Sequence, residues 1–146
     1  MDVEIKIAPE YRVPKAVIMT DRITDEVNTA VSKLSEKTPQ MISGFCDSVL
    51  RIIEQDEIIR IYSSGGKVFA ATESGEYVLR QRIYEMEERL EASKFVRISN
   101  SEIINLKKVK SFDLNFVGTI CVVFKDSTVT YVSRRYVSKI KKVLGV

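Results

Sequence analysis

The feature that most narrows the fold is a series of tight turns. Residues 58–64 (IIRIYSS), 67–72 (KVFAAT) and 76–80 (EYVLR) are rich in β-branched and aromatic side chains, and Gly65-Gly66 and Ser74-Gly75 separate them. Two-residue links of this composition suit hairpins, whose central residues take positive φ angles that glycine adopts at no steric cost. The pattern predicts an antiparallel meander. It resumes after residue 95 with EIINL, LKKVKSFDLNF, TICVVF, a turn at Asp126-Ser127 and TVTYVS, which read as two or three further strands.

Two helices are expected to flank this β-region. From Gln81 to about Ser93, Ile83, Met86 and Leu90 recur on one face while Glu85, Glu87, Glu88, Arg89 and Glu91 form a solvated remainder. From about Arg134 to Leu144, Val137, Ile140, Val143 and Leu144 form an apolar stripe opposite Lys139, Lys141 and Lys142. Upstream, Val3, Ile5 and Ile7 alternate with Glu4 and Lys6, the period-2 signature of a strand, and Ala16 to Met19 reads as a second. Thr24-Asp25 caps a helix with Val27, Ala30, Val31 and Leu34 on its apolar face, stopped by Pro39. Gln40 to Cys46 and Val49 to Ile53 form a hairpin about Asp47-Ser48. The expected class is therefore α+β, mostly β, with a small ββαββ unit over residues 1–55 and an elongated antiparallel domain over 56–146.

Composition removes several functions. The chain has no histidine, so the commonest general base, metal ligand and partner of a nucleophilic serine or cysteine is missing. No phosphate-binding glycine loop, HExxH, GxSxG or paired-cysteine motif occurs, and no enzyme, cofactor or metal is expected. Cys46 and Cys121 sit in apolar runs and read as reduced, buried hydrophobes of a cytoplasmic protein. The amino terminus alternates charged with apolar residues, and neither a signal peptide nor a membrane anchor is expected. Charge is divided along the chain. Residues 1–94 carry 13 Lys+Arg against 17 Asp+Glu, whereas residues 95–146 carry 10 against 3. A basic C-terminal third is the electrostatic footprint of a polyanion binder.

Four segments in order, DEIIRIYSSGGKVFAAT, LRQRIYEMEERLEASKFVRIS, NSEIINLKKVKSF and VTYVSRRYVSKIKKVL, resemble the LytTR DNA-binding domain of bacterial transcription regulators across residues 56–146. The resemblance implies that connecting loops, rather than a recognition helix, reach successive major grooves of double-stranded promoter DNA. On this chain it places Lys67 in the first loop, Asn100 and Ser101 in the turn after Phe95, and Ser133, Arg134 and Arg135 before the last helix. Lys107, Lys108, Lys125 and Lys139 complete the set expected to meet DNA. Arginine can bond guanine bidentately, asparagine can pair with a base edge, and lysine and serine hold phosphate. Where the family usually has a histidine, this chain has Ser99, so base preference is not transferable there.

Each position also has a plainer reading. Ser133 fits a helix N-cap, and Asn100 could cap the segment that follows. Lys107, Lys108 and Lys110 could be solvent-facing strand residues. Cys121, Phe124, Tyr131 and Phe95 read as core. Residues 1–55 are too few for a phosphorylatable receiver. The resemblance then points to the stand-alone type of regulator, a homodimer often encoded beside a small membrane-protein inhibitor, with the N-terminal unit serving dimerisation or docking. The alternative is a protein-interaction module that docks a membrane-protein partner or another regulator.

Overall fold

The computed structural model describes residues 1–35, 41–115 and 117–146. The chain divides into two compact units, Met1–Thr38 and Pro39–Val146. In the first, α1 (Asp25–Ser35) starts as its sequence predicts. The Thr24 hydroxyl accepts the Val27 N–H at 3.3 Å, and the Thr24 carbonyl accepts from Asn28. Asp25 and Glu26 in the first turn complement the helix dipole. The expected stop at Pro39 lies outside the described residues. The strands expected over 3–7 and 16–19 are absent: Val3, Ile5 and Ile7 are 85, 80 and 93% exposed and pair with no described strand. Alternation prepares a segment for a sheet, but a strand forms only where a neighbour takes its backbone groups.

The second unit is built on antiparallel strands. The hairpin β1 (Ile42–Cys46) and β2 (Val49–Ile53) turns through Asp47 and Ser48, both at positive φ. The meander follows as β3 (Ile58–Ser64), β4 (Lys67–Thr72) and β5 (Gly75–Leu79), with Gly65 at φ 58° and Gly66 at φ 79°. Next come α2 (Ile83–Arg89), β6 (Phe95–Ser99) and β7 (Glu102–Asn105). These strands form one sheet in the order β2-β1-β5-β4-β3-β7-β6. The hairpin thus joins the meander through β1 and β5. A second sheet contains β8 (Val109–Asp113), β9 (Ile120–Phe124) and β10 (Val129–Val132), with β9 central. A short 3-10 turn then leads into α3 (Val137–Leu144).

Two hydrophobic clusters sit on opposite faces of β3, β7 and β6. Ile58, Ile61, Phe95 and Ile103 pack with Ile83, Met86 and Leu90 of the α2 segment. Ile59, Val96, Ile98 and Ile104 pack with Ile120, Val122, Phe124, Val132 and Ile140. Burial on both faces explains why the neighbouring Ile103 and Ile104 are both apolar rather than alternating with polar residues. Two expectations about single residues fail. Cys46, at the end of the hairpin strand, is exposed. Tyr131, on an outer strand of the smaller sheet, is 53% exposed, whereas Phe95, Cys121 and Phe124 are buried as expected. No helix among the described residues is long and apolar enough to cross a membrane.

Candidate nucleic-acid interface

Strand direction decides which loops meet. The Ser63 N–H donates to the Ser101 carbonyl at 2.8 Å, which sets the β3–β4 turn beside the β6–β7 turn. The Ser133 N–H donates to the Ile98 carbonyl at 2.9 Å, bringing the start of the last helical segment to the same end. The β8–β9 connection arrives there too. Gly118, at φ 72°, lies so close to Arg134 that an added Cβ would stand 2.9 Å from its Nε. An open cleft of about 360 Å³ is lined by Ser63, Gly66, Lys67, Arg82, Arg97 and Asn100, among others.

Seven of the ten residues singled out from the sequence belong to this end. Lys67, Asn100, Ser101, Arg134, Arg135 and Lys139 are exposed, and Ser133 is half-buried. Ser133 precedes the 3-10 turn, but its hydroxyl makes no capping bond; its carbonyl instead accepts the Tyr136 N–H. Asn100 is no cap either. The Tyr136 hydroxyl donates to its Oδ1 at 3.0 Å, while Arg97 donates through Nε to the Ser99 carbonyl at 3.0 Å and through its terminal nitrogen to the Asn100 carbonyl at 2.8 Å. Ser101 N–H bonds the Ser99 hydroxyl at 3.2 Å. The turn is therefore held from both sides, and the Asn100 side-chain NH₂ keeps its two donors for a ligand. The Lys139 ammonium lies 6.0 Å from the Tyr136 ring centroid.

The remaining three occupy the opposite end. Lys107 and Lys108 lie in a 3-10 turn after β7, not on a strand. Asn105, almost fully buried, fixes that turn: its Oδ1 accepts the Lys107 N–H at 3.0 Å and its NH₂ donates to the Ile58 carbonyl at 2.8 Å. The Lys125 N–H donates to the Lys108 carbonyl at 2.9 Å, next to the β9–β10 turn. Acidic groups are interspersed here. Lys108 pairs with Glu73 at 2.7 Å, and Lys94 pairs with Asp56 and Glu91, each at 3.2 Å. The Thr128 hydroxyl and N–H donate to Asp126 at 2.6 and 3.0 Å and hold its carboxyl below the ordinary range.

At the first end, Lys67, Arg82, Arg134 and Arg135 form no ion pair among the described residues, and Arg97 has a loose one with Glu87 at 3.6 Å. Arg82, Arg97 and Tyr136 escaped the sequence reading. Tyr136 directly follows Arg135 and Arg82 follows the last meander strand, but only the sheet register brings them to the Asn100 turn. The arrangement offers exposed donors and uncompensated positive charge, which suits an anionic polymer better than a small substrate.

Comparison with known proteins agrees. Residues 48–145 match the family model described as the LytTr DNA-binding domain. An uncharacterized HTH-type transcriptional regulator of Staphylococcus aureus strain NCTC 8325 is 33% identical over 128 residues, covering 88% of this chain and 84% of that one. A protein of the same description from strain MRSA252 is 32% identical over the same shares. The solved LytTr DNA-binding domain of a putative methyl-accepting/DNA response regulator from Bacillus cereus superposes with a TM-score of 0.70 at 18% identity, covering 73% of this chain and 97% of that one.

Proposed function

This chain belongs to the LytTr DNA-binding domain family, and from that premise we propose that it regulates transcription in the cytoplasm by laying the loops at the Lys67, Asn100 and Arg135 end against successive major grooves of promoter DNA. The observation that carries this reading is that Lys67 and Arg82 line one cleft with Asn100 while Arg134 and Arg135 stand in the turn whose Tyr136 bonds Asn100, all four without acidic partners among the described residues. Arg135 is assigned to a base edge, where its planar fork matches guanine O6 and N7. Asn100, with Oδ1 engaged by Tyr136, is assigned as a donor to a base acceptor or a phosphate. Lys67, Arg82, Arg134 and Lys139 are assigned to the backbone. Loop reading also fits the element order: α1, α2 and α3 are each separated by strands, so the described residues contain no helix-turn-helix pair.

The regulator acts as a homodimer on paired half-sites. Titration of the chain's own upstream region by fluorescence anisotropy at several salt concentrations tests the DNA reading. Phosphate contacts predict an affinity that falls steeply and linearly on a log-log plot, with tighter binding than to random duplex. A salt-independent or sequence-indifferent complex would contradict it.

A second reading rests on an edge of the larger sheet. Val49, Leu50 and Ile52 of the edge strand β2 are 65, 57 and 56% exposed. An apolar sheet edge supports docking of another protein, including a small membrane-protein inhibitor. Capture of a membrane protein from cells by the whole chain, retained after nuclease treatment and lost with Leu50→Lys, would support that role.

A further inference from the structure

The segment Val3–Ile7 is complementary to itself. We propose that it pairs antiparallel with the same segment of a second copy, in the register that places Ile5 opposite Ile5, and that this ribbon is the core of the dimer contact. The proposal rests on the homodimer reading above and names the surface that would form it.

The chain has a segment patterned for a sheet that pairs with no strand among the described residues. Val3, Ile5 and Ile7 alternate with Glu4 and Lys6, stand 85, 80 and 93% exposed, and pair with no described strand. Register is then a matter of charge. In an antiparallel pair, directly opposed residues share a face. With Ile5 on the two-fold axis, Val3 faces Ile7 of the partner on the apolar side. On the other side Glu4 faces Lys6 of the partner, twice by symmetry.

Every neighbouring register is worse. Centring on Glu4 sets Asp2 against Lys6 but opposes two glutamates on the axis, and centring on Lys6 opposes two lysines and sets Val3 against Pro9, which has no N–H to donate. A slip by one residue between these puts apolar side chains opposite charged ones. A parallel in-register pair stacks like on like. Only the Ile5-centred antiparallel pair satisfies both faces, and it is isologous, as a closed dimer requires.

A two-stranded ribbon alone is marginal in water and needs its apolar face covered. The same unit carries material for that. Helix α1 buries none of its residues in the single chain, and Val31 and Leu34 on its apolar stripe are 46 and 63% exposed. The Met1 ammonium pairs with Glu26 of α1 at 2.9 Å, which sets the beginning of the segment beside the first turn of that helix. Two copies thus bring two strands and two unburied helix stripes into one assembly.

The test is sedimentation of the full-length protein without DNA. Wild type is expected to dimerise, and Ile5→Lys to be monomeric over the same concentrations while binding a single half-site as wild type does. Glu4→Lys alone and Lys6→Glu alone each replace two attractive pairs with two repulsive ones and are expected to weaken the dimer about tenfold. Mixed in equal amounts, these two variants regain complementarity and are expected to form a heterodimer of near wild-type strength. A monomeric wild type, an unchanged dimer in Ile5→Lys, or a mixture of the two charge variants no tighter than either alone would each overturn the proposal. Because the three overturning outcomes are all read by sedimentation without DNA, they leave the DNA reading to its own titration.

Discussion

The two ends of the β-domain are made from the same materials and differ in what surrounds their charges. At one end, Lys67, Arg82, Arg134 and Arg135 stand without acidic partners among the described residues, and the Asn100 turn is held between Tyr136 and Arg97. At the other, Lys108 and Lys94 are paired with Glu73, Asp56 and Glu91, and the turns are closed by Asn105 and Asp126. Counting basic residues treats both ends alike. Interspersed carboxylates weaken a field over the Debye length of roughly 8–10 Å, which is why the proposal assigns the polyanion to the first end. The exposed ion pairs at the second end matter less for stability, where each is worth at most about 1 kcal/mol, than for neutralisation.

Mutations should separate the two ends. The largest effect is expected from Phe124→Ala, which empties a fully buried position in the cluster that ties the smaller sheet and α3 to β6 and β7. A loss of about 3–5 kcal/mol in chemical denaturation should release both ends together. Arg135→Ala should cost about 1–3 kcal/mol on the preferred site and flatten base preference in a competition assay, with little loss on random duplex. Tyr136→Phe removes the hydroxyl that engages Asn100 Oδ1 and should cost about 0.5–1.5 kcal/mol of specific binding. That loss should vanish when the substitution is made in an Asn100→Ala background, which a double-mutant cycle reads directly. Lys67→Ala should lower the salt slope by about one, whereas Lys125→Ala should leave slope and affinity unchanged. Equal losses for these two lysines would erase the distinction between the ends.

How much of this was legible depended on whether the information is local. The meander could be read because Gly65-Gly66 and Ser74-Gly75 specify their turns within a few residues, and the helical segment of Ile83, Met86 and Leu90 because one face carries a 3.6 period. The strand that alternation predicts at Val3–Ile7 is absent from the single chain for the same reason: alternation is local, but pairing needs a partner, and the described residues provide none. Cys46 was misplaced because an apolar run does not reveal that its strand runs to an exposed hairpin end. The site was half visible. Asn100, Ser133 and Arg135 carried a family pattern, but the division of Lys107, Lys108 and Lys125 from the others is set by strand direction, which reverses at every turn. Tyr136 acts through a bond to a position 36 residues away, which no spacing in the sequence announces, whereas Arg97 bonds carbonyls only two and three residues on.

The most direct measurement is hydrogen exchange across the whole chain, free and bound to its own upstream DNA. New protection is expected of amides at residues 63–67, 99–101 and 133–136, with residues 106–108 and 125–128 exchanging as they do in the free protein. Protection concentrated at the Lys107 and Lys125 turns, with the Asn100 and Arg135 loops unchanged, would contradict it.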